Sequence, residues 1–160
     1  VVKVNEARKR SMAERIVAAC GGSVKDKTIA VLGLTFKPNT DDMRDSPSLA
    51  ILPPLIEAGA TVRAYDPEGM EEAKKLLPDL LYCESAYETM GGADALVLVT
   101  EWNQFRALDW NRVRRLMKSP VVIDLRTIYK PSDMAAAGFE YVSIGRAPVA
   151  PAKTAQLKLA

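Results

Sequence analysis

Residues 28–33 read Thr-Ile-Ala-Val-Leu-Gly, a short run that lacks the polar alternation of a half-exposed strand. An apolar run of this length is typical of a parallel β-strand that is buried on both faces. Similar runs follow along the chain at residues 61–65, 95–99 and 121–123, and weaker ones lie at 80–83 and 141–144. The sequence therefore predicts several parallel strands of one sheet.

Helical segments separate these runs. Ser46-Pro47 is a suitable start for a helix over 48–58, which Gly59 ends. Asp109 is in a position to cap a helix over 110–117. Shorter helices are predicted at residues 70–77, 85–90 and 132–137. Because strands alternate with helices, we expect an α/β fold with a Rossmann-like parallel sheet flanked by helices.

The two ends of the chain have a different character from the middle. Residues 4–20 have helical apolar periodicity, and Gly21-Gly22 follow as a helix stop. Residues 149–160 are rich in Ala, Pro and Lys and are predicted to be a disordered tail. The resulting division is a leading helix at 1–22, a domain at 23–148 and the tail. Since no initiating Met is present, we expect a piece of a longer protein.

The composition excludes several classes of protein. The 160 residues include no histidine, which excludes a Ser-His-Asp triad, an HExxH site and a Cys2His2 zinc finger. Cys20 and Cys83 lie too far apart for a CxxC motif and favour a reducing, cytoplasmic setting. A net charge of +2 gives no reason to expect nucleic acid, and no apolar run is long enough for a membrane span. No metal site is predicted.

The loop that follows the first predicted strand carries the clearest binding signal. Residues 34–46 are long for a strand-to-helix loop, and they include Lys37 and Arg44 ahead of a helix. Two cations beside a helix N-terminus make a good receptor for phosphates. The alternative is that both pair with the aspartates of the same loop, Asp41, Asp42 and Asp45, on a solvated turn.

Two further positions follow predicted strands. Arg126 is expected at the same sheet edge as Lys37, where its guanidinium could meet a phosphate or a sugar. The alternative is that Arg126 caps carbonyl groups or pairs with Asp124. Asp66 is at the position of a ribose-binding acid in dinucleotide folds, but the loop at Gly33 lacks GxGxxG. We therefore interpret Asp66 as part of a strand-end turn that starts a helix.

The loop also supports a family resemblance. Residues 33–47, Gly-Leu-Thr-Phe-Lys-Pro-Asn-Thr-Asp-Asp-Met-Arg-Asp-Ser-Pro, resemble the C-terminal UDP-sugar-binding domain of the UDP-glucose/GDP-mannose dehydrogenase family. The runs Ala-Tyr-Asp-Pro at 64–67, Leu-Val-Thr-Glu-Trp at 98–102 and Val-Ile-Asp-Leu-Arg at 122–126 agree. The resemblance extends over about 1–148 and is greatest to the bacterial members that oxidise UDP-glucose. Residues 1–22 resemble the end of the long central helix through which members dimerise.

The resemblance implies an enzymatic context that the chain holds only in part. Members oxidise UDP-glucose to UDP-glucuronate with two NAD, which is held mainly by an N-terminal Rossmann domain. Their catalytic Cys lies in a Gly-Gly-x-Cys-x-Pro-Lys-Asp motif, which this chain lacks, together with GxGxxG. We therefore predict no catalytic residue here, and no dehydrogenase activity from the chain alone.

The resemblance also implies roles for four residues. Phe36 and Lys37 match family positions that contact the nucleotide sugar, and Arg126 matches an Arg on the same side. Arg44 matches an Arg that reaches across the domain cleft to NAD. Some members have Gly where this chain has Leu125, which makes the match at Arg126 the less exact one.

Other functions remain open at this point. The same domain could serve an enzyme that oxidises GDP-mannose or a UDP-N-acetylhexosamine, because the loop motif is shared among these enzymes. It could also be a stand-alone, non-catalytic nucleotide-binding module. The expected partners are UDP-glucose, NAD, the N-terminal domain of the same enzyme and a second full-length copy, with neither nucleic acid nor membrane.

Overall fold

The computed structural model describes the backbone of residues 2–151 and the side chains of residues 10–151. Within that range six strands form one sheet, in the order β3-β2-β1-β4-β5-β6, and every neighbouring pair is parallel. The strands are β1 (Thr28–Leu32), β2 (Thr61–Tyr65), β3 (Leu81–Tyr82), β4 (Ala95–Leu98), β5 (Val121–Asp124) and β6 (Glu140–Ser143). The predicted Rossmann-like parallel sheet is confirmed.

The helices also agree with the sequence prediction, with one exception. They are α1 (Val2–Ala19), α2 (Ser48–Glu57), α3 (Met70–Leu76), α4 (Ala86–Met90), α5 (Asn103–Arg106), α6 (Trp110–Leu116) and α7 (Pro131–Ala136). The single turn α5 was not predicted, and it brings Phe105 into the core. The predicted cap of α6 is confirmed, since the Asp109 carboxylate accepts the backbone N–H groups of Asn111 and Arg112.

The sheet divides the core into two layers, which explains the uninterrupted apolar character of β1. Ile29 and Val31 pack with buried residues of α1, α2 and α3 on one face. Ala30 and Leu32 pack with buried residues of α4 to α7 on the other. Since successive strand residues point to opposite faces, a strand covered on both sides needs apolar residues at every position.

The strand order reverses direction between β1 and β4. From β1 the chain builds outward through β2 and β3, and from β4 it builds the other way through β5 and β6. In open α/β sheets, ligands bind in the crevice outside the carboxyl ends of the strands at such a switch point. The loops that follow β1, β4 and β5 therefore surround the position expected for a ligand.

The two ends of the chain lie against this body as far as they are described. Ala13 and Ile16 of α1 are buried among residues of α2 and the sheet. Val149, the first residue of the predicted tail, exchanges two backbone hydrogen bonds with Tyr141 of β6, and residues 152–160 of that tail lie outside the described residues. In the part of the chain that the structure describes, we find no helix with the length and apolarity needed to span a bilayer.

Candidate functional site

The loop after β1 begins with a close approach between two strand ends. Gly33 has φ +88°, and a Cβ atom there would lie 2.5 Å from both the backbone nitrogen and Cβ of Thr100. The Thr100 hydroxyl donates a hydrogen bond to the carbonyl of Thr35 at 2.6 Å. The loops after β1 and β4 are therefore packed directly against each other at the switch point.

A buried carboxylate organises the first turn of this loop. Asp66, which follows β2, is fully buried, and its Oδ2 accepts the backbone N–H groups of Leu34 at 2.7 Å and Thr35 at 3.2 Å. In a dinucleotide-binding fold, the corresponding N–H groups face a pyrophosphate. Here an internal carboxylate takes their hydrogen bonds, so this turn is not open to a phosphate.

The same carboxylate also starts the next helix. Asp66 Oδ1 accepts the backbone N–H groups of Glu68 at 2.9 Å and Gly69 at 2.7 Å, immediately before α3. This confirms the interpretation of Asp66 as a strand-end turn and helix start. Its contacts with the β1 loop were not predicted, because Leu34 and Thr35 lie more than 30 residues away in sequence.

The far end of the β1 loop is held by two buried hydroxyls. Ser46 and Ser48 both donate to the carbonyl of Leu34, at 2.5 and 2.8 Å. The Phe36 N–H donates to the carbonyl of Asp42 at 2.9 Å, which folds the loop back on itself. Both ends of the loop are thus anchored, and its middle is displayed at the carboxyl edge of the sheet.

The displayed part of the loop holds three of the four predicted site residues. The side chain of Phe36 is 45% exposed, whereas most large apolar side chains of a folded protein are buried. Lys37 is exposed and forms no salt bridge with any residue whose side chain the structure describes. The pairing of Lys37 with the loop aspartates, which the sequence left open, does not occur in the structure.

Arg44 does pair with one of those aspartates. Its Nε and Nη2 donate to the two carboxylate oxygens of Asp42 at 3.0 and 3.2 Å, while 88% of the Arg44 side chain stays exposed. The hydrogen bond from Arg44 lowers the pKa of Asp42 below its usual value. An ion pair as exposed as this one contributes little to the free energy of folding. The Arg44 guanidinium can therefore leave Asp42 and bind another anion with little loss of stability.

Arg126 is held differently, by a residue of the neighbouring loop. Its Nε donates to Glu101 Oε2 at 2.6 Å and its Nη2 donates to Oε1 at 3.1 Å. The predicted alternative partner, Asp124, accepts only the backbone N–H of Arg126, at 2.9 Å. The pairing of the guanidinium with Asp124 is therefore wrong, and Glu101 takes that place.

Glu101 was not among the predicted site residues. It follows β4, while Arg126 follows β5, and the register pairs Leu98 with Asp124 at the ends of these two strands. This register brings the two side chains together although 25 residues separate them. The available signal was an acid three residues beyond a buried strand, in a position to meet a base beyond the adjacent strand.

All four predicted residues lie on loops beyond the carboxyl ends of β1 and β5, with Arg44 joined to Asp42 and Arg126 joined to Glu101. Among the described side chains, no group of three acidic or sulfur ligands could hold a metal ion. Cys20 and Cys83 are buried and unpaired, and burial raises the pKa of the Cys20 thiol.

Comparison with known proteins bears on this arrangement. The sequence model described as the UDP-glucose/GDP-mannose dehydrogenase family, UDP binding domain, matches residues 30–131. The chain belongs to this family. The predicted resemblance is thereby confirmed, and the matched segment contains every candidate site residue.

Individual members of the family agree. A UDP-glucose 6-dehydrogenase of Rhizobium meliloti is 55% identical over 91% of this chain and 33% of its own length. A solved UDP-glucose dehydrogenase of Pyrobaculum islandicum has 31% identity and a TM-score of 0.71, over 94% of this chain and 31% of its own. A solved UDP-D-ManNAc dehydrogenase of Pyrococcus horikoshii has 28% identity and a TM-score of 0.68, over 88% and 31%. The chain spans about a third of the length of the curated relatives it matches.

Proposed function

We propose that this chain is the UDP-sugar-binding C-terminal domain of a longer, NAD-dependent UDP-glucose 6-dehydrogenase. The observation that carries the proposal is the position of Lys37 and Arg126, after β1 and β5, at the carboxyl edge of the sheet on either side of the end of β4, in a sheet of this family. The relative from Rhizobium meliloti is a UDP-glucose 6-dehydrogenase, which favours UDP-glucose among nucleotide sugars. The domain holds the sugar nucleotide while an N-terminal domain carries NAD.

The three substrate-side residues suit a nucleotide sugar. The exposed Lys37 supplies a positive charge for the diphosphate, and Arg126 supplies a planar donor edge for a phosphate or a sugar oxygen. Phe36 offers an exposed apolar surface beside Lys37, against which the flat base or the sugar ring packs. Because hydride transfer needs its two reactants in van der Waals contact, the role of these residues is to hold and orient the substrate.

The fit of NAD to this chain is limited to one residue. The turn at Gly33 has a single glycine, and the Asp66 carboxylate already occupies its N–H groups, so the turn does not fit a dinucleotide. Arg44 does fit a contact with NAD held by another domain, since its guanidinium is exposed and weakly paired. NAD supplies the hydride acceptor, and we propose no catalytic residue in this chain.

The decisive assay uses the full-length protein that carries this domain. We expect it to form two NADH for each UDP-glucose consumed, and to act less well on GDP-mannose and on UDP-N-acetylmannosamine. The last substrate belongs in the panel because of the likeness to the Pyrococcus horikoshii enzyme. A preference for either of the other sugars would replace UDP-glucose in the proposal, and no NADH from any of them would contradict it.

The contribution of this domain is tested by a pair of matched variants. Lys37→Ala removes the ammonium displayed on the β1 loop, whereas Lys25→Ala removes another exposed ammonium, which precedes β1 at the opposite edge of the sheet. We expect only Lys37→Ala to raise the KM for UDP-glucose, by about tenfold, because one charge-assisted contact is lost. Equal KM values for the two variants would remove Lys37 from the site.

The setting and assembly of the enzyme are part of the proposal. We propose that it acts in the cytoplasm, where reducing conditions suit the two unpaired buried thiols, Cys20 and Cys83. We also propose that the full-length protein is a homodimer that pairs through the helix continuing into α1. Light scattering of the full-length protein tests this, and a monomeric mass at micromolar concentration would contradict it.

A further inference from the structure

The pairing of Arg126 with Glu101 uses only one edge of the guanidinium. An arginine side chain has five N–H donors, and Glu101 takes the Nε–H and one N–H of Nη2. The two N–H groups of Nη1 and the second one of Nη2 form no hydrogen bond with any described residue. The end of the guanidinium is therefore a free two-pronged donor.

Hydrogen bonds to buried groups hold the chain at or next to both Arg126 and Glu101. The N–H of Arg126 donates to the fully buried carboxylate of Asp124, which also accepts the N–H of Thr127 at 2.7 Å. On the other side, the residue after Glu101 is Trp102, which is buried and donates its indole N–H to Asp66. The position of the pair is thus set by the ends of β4 and β5.

The ion pair between Arg126 and Glu101 is only partly exposed to solvent. Its side chains are 30% exposed for Arg126 and 23% for Glu101, against 88% for Arg44 in its pair with Asp42. A fork-to-fork contact in such surroundings restricts an otherwise flexible arginine more than an exposed contact does. The remaining exposure leaves the free end of Arg126 accessible to a ligand.

We propose that Glu101 is a positioning residue for substrate binding. Glu101 binds the Nε–Nη2 edge of the Arg126 guanidinium and thereby fixes its orientation. The free Nη1–Nη2 end then faces the diphosphate of a nucleotide sugar. This inference rests on the proposed function, since it assumes that Arg126 contacts that substrate. Glu101 itself touches no substrate and acts through Arg126.

An opposite role for the same contact predicts the opposite result. If Glu101 competed with the diphosphate for Arg126, removing its charge would free the cation and tighten substrate binding. If Glu101 orients Arg126, its removal leaves an arginine that loses rotamer freedom on binding, and the substrate binds more weakly. The sign of the change separates the two roles.

The test measures steady-state kinetics in the full-length protein with Glu101→Gln, Arg126→Ala and the double variant. Glu57→Gln, an exposed acid at the end of α2 without an ion pair among the described residues, is the control. Glutamine keeps the length of Glu101 but turns an NH2 group towards one guanidinium N–H. We expect Glu101→Gln to raise the KM for UDP-glucose about fivefold to tenfold, with kcat and the KM for NAD unchanged.

The double variant shows whether the effect passes through Arg126. We expect Glu101→Gln to add nothing to Arg126→Ala, because the group that it orients is gone. Fully additive effects, an unchanged KM in Glu101→Gln, or a lowered KM would each overturn the positioning role. An unchanged KM in Arg126→Ala would instead overturn the role of Arg126 in the proposed function.

A structural contribution of the pair is controlled separately. Thermal unfolding of each variant is recorded, and we expect little change, since partly exposed ion pairs add little stability. If Glu101→Gln does not fold, Glu101→Asp is used, which keeps the charge but is one methylene too short to hold both N–H groups. We expect Glu101→Asp to raise the KM for UDP-glucose as well, and a KM equal to the original would overturn the inference.

Discussion

The carboxylate of Asp66 accepts the indole N–H of Trp102 at 3.2 Å, and this bond joins the loops that follow β2 and β4. These two strands are not neighbours, because β1 lies between them. The same oxygen binds the N–H groups of Leu34 and Thr35 just beyond β1. The carboxylate of Asp66 is therefore a buried anion that connects the ends of β1, β2 and β4. The conformation of the candidate binding loop depends on these hydrogen bonds.

The first prediction concerns this anion. Asp66→Ala leaves several buried N–H groups without an acceptor, and we expect it to lower the free energy of unfolding by about 3–5 kcal/mol. Urea denaturation of the 160-residue chain measures the loss. Asp79→Ala, at an exposed aspartate between α3 and β3, serves as the control and should change stability by less than about 0.5 kcal/mol. Similar losses in both variants would contradict the role of Asp66.

The second prediction concerns the close approach of Gly33 to Thr100. Gly33→Ala meets both an unfavourable φ of +88° and the backbone nitrogen of Thr100 at 2.5 Å, so we expect a loss of about 3 kcal/mol or more in the free energy of unfolding. Gly92→Ala has a φ of +71° but no atom within 4 Å, and we expect only the backbone cost of about 1–2 kcal/mol. Chemical denaturation compares the two, and equal losses would show that the contact with Thr100 does not matter.

The third prediction concerns Arg44 and the proposed contact with NAD. In the full-length protein, Arg44→Ala should raise the KM for NAD by about tenfold and leave the KM for UDP-glucose unchanged. The change should be specific to this position, because Arg44 is exposed and its loss costs the fold little. Arg115→Ala, at an exposed residue of α6, is the matched control. A KM for NAD that is the same in both variants would remove Arg44 from the cofactor side.

The fourth prediction concerns alkaline pH. Burial raises the pKa of Tyr82 to about 12, and its hydroxyl donates to the carbonyl of Leu77 at 2.7 Å. Because the folded state favours the neutral phenol, the resulting stability is fully present below pH 10 and is lost as the pH rises towards about 12. Unfolding free energies measured between those two pH values should fall more steeply for the original chain than for Tyr82→Phe. Parallel curves would contradict the raised pKa.

Much of the fold could be predicted from local patterns. The apolar runs at 28–33 and 95–99 became β1 and β4 within one residue, since strands buried on both faces need continuous apolar residues. The short helix α5 was not predicted, because four residues are too few to show the apolar periodicity of a helix. The order of the strands in the sheet could not be predicted from local patterns either, because it depends on which strand edges pair in the folded protein.

The candidate site was predictable in its residue types but not in its contacts. The post-strand positions of Lys37 and Arg126 followed from the pattern of strands and loops. The partner of Arg126 did not, because Glu101 lies 25 residues away and meets it only through the pairing of β4 with β5. Likewise, the aspartates around Arg44 offered several partners, and the folded loop selects Asp42.

By itself, the amino-acid sequence determined that this chain forms a parallel α/β sheet, which loop carries the cations, and to which family the chain belongs. These properties reside in contiguous residues, whose spacing and chemistry act locally. Only the tertiary structure decided that Asp66 fills the turn after β1 and that Glu101 grips Arg126 by one edge. Both contacts join residues far apart in the chain, and they exist because the strand order brings those strand ends together at one edge of the sheet.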